Sequence, residues 1–106
     1  MSFTSHAGKV RDPTLPHAHR VSALKSCVQL YHPLGFQETL EFLRTTAGRF
    51  ERDENALLAA LEVLEQSRAA WQAAVAEYAE RRRAEKRAGS RVPREPNPYR
   101  PTRWYG

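Results

Sequence analysis

With Cys27 as its only cysteine, the chain cannot form an internal disulfide, and its thiol content gives no sign of an oxidising compartment. Long apolar runs are also missing. No stretch approaches the ~20 consecutive apolar residues that a membrane-spanning helix needs. The first fifteen residues offer only Phe3, Val10 and Leu15 as large apolar side chains after Met1, too few for a secretory leader. These absences lead to the expectation of a cytoplasmic setting, or the inside of a virion or ribonucleoprotein assembly, with no membrane partner.

The sequence is equally short of catalytic and metal-binding patterns. Gly8-Lys9 lacks the earlier glycine and the following hydroxyl of a phosphate loop, and no Ser or Cys stands in a recognisable nucleophile motif. His17-Ala18-His19, with His6, His32 and Cys27, is the nearest approach to a ligand set. Structural zinc sites show paired Cys or His at C-x-x-C or H-x-x-x-H spacing, which His-x-His does not match, so no metal and no cofactor is expected. The histidines read as surface residues and Cys27 as a small apolar residue of a helix. Glu38, Glu41, Glu51, Asp53 and Glu54 fall on solvent-facing or helix-capping positions rather than converging. The expectation is a protein that is not an enzyme.

What the chain has is segregated charge. Residues 81–106 hold nine Arg or Lys against two Glu, whereas residues 33–80 hold four against nine acids. Fourteen of the seventeen cations are Arg, a side chain whose planar fork suits bidentate contact with phosphate or carboxylate. The acidic middle has the apolar spacing of packed helices and the basic end does not.

The predicted fold is all-α: a short helix, then a helical hairpin with one long C-terminal helix, flanked by extended basic arms. Residues 1–18, with Gly8, Pro13 and Pro16 and no periodicity, read as an extended N-terminal arm. The helical core is residues 19–88. Val21, Leu24, Val28 and Tyr31 lie on one face of a first helix that stops before Pro33. Phe36, Leu40, Leu43, Ala47 and Phe50 mark a second. Gly48 is placed to end it and Asp53 to cap the next. The third segment, about 54–88 and about 50 Å long at 1.5 Å per residue, carries Leu57, Leu61, Leu64, Arg68, Trp71, Val75 and Tyr78 at four-three spacing. Because that phase runs unbroken from Phe36, a single helix over 36–88 is the alternative, opposed by Gly48 and the polar run 51–55. Arg68 on the seam calls for a carboxylate on another helix, such as Glu38 or Glu41, or on a second chain, or else snorkels to solvent.

Residues 89–106 form a Pro/Arg/aromatic tail that Pro93, Pro96, Pro98 and Pro101 keep out of helix. Its Pro-x-x-Pro spacings are the kind any Pro-rich tail produces by chance. Arg81, Arg82, Arg83, Lys86, Arg87, Arg91, Arg94, Tyr99, Arg100, Arg103, Trp104 and Tyr105 are the candidate partner-binding residues. The Leu57 to Tyr78 face is a candidate docking surface for other subunits or a second copy. Arg, Trp and Tyr are favoured anchors of protein interfaces, which points to an interaction subunit of a larger complex. The same residues on phosphates and bases describe a small RNA- or DNA-binding regulator.

Overall fold

The computed structural model describes residues 2–89 and 98–106. The chain is helical, with α1 Phe3–Val10, α2 His17–Leu30, α3 Phe36–Ala47 and α4 Glu54–Arg87, and no strand among the described residues. The break between α3 and α4 excludes the single long helix. Gly48 ends α3 at φ 103°, a conformation that side-chain-bearing residues rarely adopt. Asp53 opens α4 by accepting a hydrogen bond from the Asn55 N–H at 2.9 Å, as an N-cap should. The Pro33-Leu34-Gly35 interruption is closed by Thr39, whose buried Oγ1 accepts from the Leu34 N–H at 3.3 Å.

The extended N-terminal arm is the main correction. Residues 3–10 are a helix, capped by the Ser2 hydroxyl on the Ser5 N–H, and Phe3, Ala7 and Val10 are buried on its inner face. Their four-three spacing covers only two turns, too short to stand out as periodicity, and an eight-residue helix is not stable by itself. Packing against α2 supplies what propensity does not. α2 correspondingly begins at His17, two residues earlier than expected, with the His17 Nε2 donating to the Phe50 carbonyl at 2.9 Å.

All four helices enclose one core. Leu24, Cys27 and Val28 of α2, Leu43 of α3, and Leu57, Leu61 and Leu64 of α4 are completely buried together with Val10 and Phe50. The chain is elongated, 55 × 24 × 17 Å, because α4 outruns the helices that cover it.

A buried charge fixes how α1 meets the rest. Arg20, 4% exposed, donates from Nε to the Val10 carbonyl at 2.8 Å and from Nη1 to Glu54 Oε2 at 2.7 Å. It therefore satisfies a carbonyl at the end of α1, where none is available within the helix, and ties that end to the start of α4. Replacing Arg20 with Ala leaves the Val10 carbonyl buried and unpaired and should destabilise the fold by about 2–3 kcal/mol. Glu54→Gln, at a half-exposed carboxylate, should cost less than about 1 kcal/mol. Urea denaturation of both variants checks the ordering.

Cys27 lies under α1, with its thiol directed at the Phe3 carbonyl. Burial pushes that thiol up to about 12 from its ordinary 9.0, so as pH rises the unfolded chain loses the proton first. Stability that is intact below pH 9 should then fall as pH climbs towards 12, by up to ~1.4 kcal/mol per unit. Denaturation midpoints across this range, compared with Cys27→Ala, should show the slope shrinking in the variant.

Candidate interaction surface

The expected docking face of α4 is already covered from within the chain. Leu57, Leu61 and Leu64 belong to the core. Trp71 lies against Tyr31 with ring centroids 5.6 Å apart, and its Nε1 donates to the Pro98 carbonyl at 2.6 Å. Val75 is half-buried and Tyr78 is buried, the latter meeting Tyr99 edge-on at 5.5 Å. What covers the far half of the seam is the C-terminal tail.

Of the tail aromatics grouped with the cations as candidate partner-binding residues, Tyr99 is half exposed whereas Trp104 and Tyr105 face the chain's own helices. Trp104 stacks on Phe42 at 4.2 Å. Tyr105 is 9% exposed, and its N–H donates to Ser67 Oγ at 3.3 Å. Tyr31 and Ser67 hydrogen bond through their hydroxyls at 2.7 Å, so one buried serine connects α2, α4 and the tail. The physical reason is proximity. An uncovered Trp71 stripe on the same chain offers apolar cover that the tail reaches without losing the freedom of a second molecule.

Ser67 escaped sequence reasoning, and with it the meaning of Arg68. The seam runs Leu64, Ser67, Trp71 in steps of three and four, as regular as the route through Arg68. Arg68 therefore lies on the flank, half-buried, with its guanidinium 4.4 Å above the Phe3 ring. Neither Glu38 nor Glu41 is its partner: Glu41 pairs with Arg44. The small Ser67 side chain also lets Gly106 approach the α4 backbone.

The cations fall into a second, separate group. Arg81, Arg83, Lys86 and Arg87 are exposed on the end of α4 beyond Tyr78, and Arg82 is half-buried beside Glu85 at 2.6 Å. Arg83 pairs with Glu80. Residues 80–87 thus present five cations and two acids. Arg100 and Arg103 are exposed on the tail, Arg103 lying 4.2 Å above the Tyr105 ring, and Arg91 and Arg94 lie outside the described residues.

Among the described residues no three His, Cys, Asp or Glu side chains come together as a metal-ligand group, and no helix is long and apolar enough to cross a membrane. Comparison with known protein families, curated proteins and solved structures finds no match.

Removing residues 98–106 should uncover Trp71 and leave the Tyr31–Ser67 pair wet. A loss of about 2–4 kcal/mol is expected from the burial of one Trp and one Tyr side chain. The emission of Trp71, then the sole tryptophan, should shift to the red relative to Trp104→Phe.

Proposed function

We propose that the protein is a non-enzymatic binding subunit, a four-helix scaffold that carries the basic end of α4 onto an acidic surface of a protein partner. The observation that supports this is the change in character of α4 at Tyr78. Up to that residue its inner face is apolar and covered; past it, the helix continues for nine residues with cations distributed around it and no core to bury. A projecting helix of this kind presents charge at fixed spacing, which favours complementary recognition over diffuse attraction. The Leu57 to Tyr78 face has no part in the proposal, because the chain covers it itself.

A second reading, binding to duplex nucleic acid through phosphates, draws on the same exposed Arg81, Arg83, Lys86 and Arg87. Recognition of single strands by base stacking loses support, because Trp104 and Tyr105 are engaged at home.

The quadruple variant Arg81→Gln, Arg83→Gln, Lys86→Gln and Arg87→Gln should keep the helical circular dichroism and the unfolding midpoint, since Gln propagates helix well. Capture of nuclease-treated extract from the native source on immobilised protein should retain a stoichiometric acidic protein that this variant loses. Tight binding to a bare twenty-base-pair duplex, with log affinity falling against log salt at a slope near about −4 and flattened in the variant, would favour nucleic acid instead.

A further inference from the structure

A groove opens where the tail crosses the α2–α3 connection, with a volume of about 640 Å³. Leu30, 54% exposed, and Tyr99, 50% exposed, are the large apolar side chains left open to solvent among the described residues. Both line this one groove. Uncovered apolar surface concentrated at one place marks a contact site more than scattered exposure does. Trp71 lines it as well; since its Nε1 is held by the Pro98 carbonyl, a ligand meets the indole ring and not its N–H.

The charge of the lining is one-sided. Arg100 and His32 stand in it, both exposed, and none of the described residues that line it is acidic. The His32 Nδ1 donates to the Val28 carbonyl at 2.8 Å, which fixes the ring orientation. An apolar trough with a cation at its edge complements a large apolar side chain that has a carboxylate beside it. We propose that this groove is a docking site for an acidic peptide segment bearing a leucine or phenylalanine, the apolar side chain lying between Leu30 and Tyr99 and a carboxylate on Arg100.

A nucleic-acid strand fits the chemistry less well. Its repeating phosphates call for a row of cations, and the row this protein has, Arg81 to Arg87, lines no part of the groove. One wall, Tyr99 to Thr102, is the tail itself, so the site exists only while the tail is docked. The proposal is independent of the function proposed for the end of α4, because neutralising those cations leaves the groove residues untouched.

The test uses the full-length chain carrying the four Gln substitutions on α4, which removes adventitious binding of acidic probes there. A fluorescein-labelled peptide, Ac-EELFEE-amide, is titrated by anisotropy. Saturable binding is expected, weakened at least about tenfold by Leu30→Asp and by Arg100→Glu. Both are exposed positions, so the fold should persist by circular dichroism. Deletion of residues 98–106 should abolish binding. The all-acidic analogue Ac-EEEEEE-amide should bind at least about tenfold more weakly than the parent peptide. No saturable binding at millimolar peptide overturns the proposal, as does equal binding of the all-acidic analogue or indifference to Leu30→Asp. Tighter binding of octathymidylate, lost in Leu30→Asp, would assign the groove to single-stranded nucleic acid and overturn it too.

Discussion

Helix α4 has 34 residues, whereas α2 has 14 and α3 has 12. At 1.5 Å per residue α4 is about 51 Å long against about 21 Å and 18 Å for its neighbours. Neither neighbour can therefore cover the seam that runs from Leu57 to Tyr78. A helix cannot leave such a stripe in water without cost, and the chain covers it with what lies at hand. Phe3 and the rest of α1 close one flank. The tail, through Pro98, Tyr99 and Tyr105, closes the rest. Only past Tyr78, where the apolar positions stop, does α4 need no cover, and there charge takes over.

The tail is held by two kinds of force with different roles. Contacts of Trp104 with Phe42 and of Tyr99 with Tyr78 remove apolar area from water but tolerate sliding. The Ser67 hydroxyl does not. It accepts the Tyr105 N–H while bonding the Tyr31 phenol, and a buried hydroxyl left without partners would be costly. Among the described residues no buried side-chain polar atom lacks a partner. The burial that seats this node also pushes the Tyr31 phenol up from its ordinary range, a shift that the Ser67 hydrogen bond opposes. Dispersion and hydrophobic burial hold the tail down; the serine sets its register.

Much of the fold was legible where the sequence carried a strong local signal. The boundaries of α3 and α4 follow from Gly48, Asp53 and a long periodic, alanine-rich run, each sufficient on local physics alone. α1 was not legible, because Phe3, Ala7 and Val10 make too short a pattern and the helix depends on α2 and Arg20 for its existence. The candidate site was legible only in its cations. Composition identifies Trp104 and Tyr105 as anchors but not what they anchor to, since that depends on Phe42 of α3 and Ser67 of α4, both distant in sequence. Arg68 shows the limit of periodicity. Four-three spacing admits both Ser67 and Arg68 as the next step after Leu64, and volume, not hydrophobicity, decides for the serine, because the tail backbone must pass there.

The segregation of charge along the chain now has a structural meaning different from simple tail recruitment. In the tail, Arg100 and Arg103 are exposed while Trp104 and Tyr105 turn inward, so its attachment owes little to its cations. The nearby acids on α4, Glu80 and Glu85, pair locally with Arg83 and Arg82, three residues apart on one helix. The exposed Arg83–Glu80 pair contributes little stability, whereas Arg82 and Glu85 are half-buried; both pairs hold guanidinium groups in place along the helix. Arg81, Arg83, Lys86 and Arg87 remain exposed at the surface, beyond the apolar core, which is the condition under which a charged segment can meet a partner without dismantling that core. The tail does the opposite: by folding down it completes the core and, with the Tyr99 to Thr102 stretch, raises the wall of a groove that the helices alone do not possess.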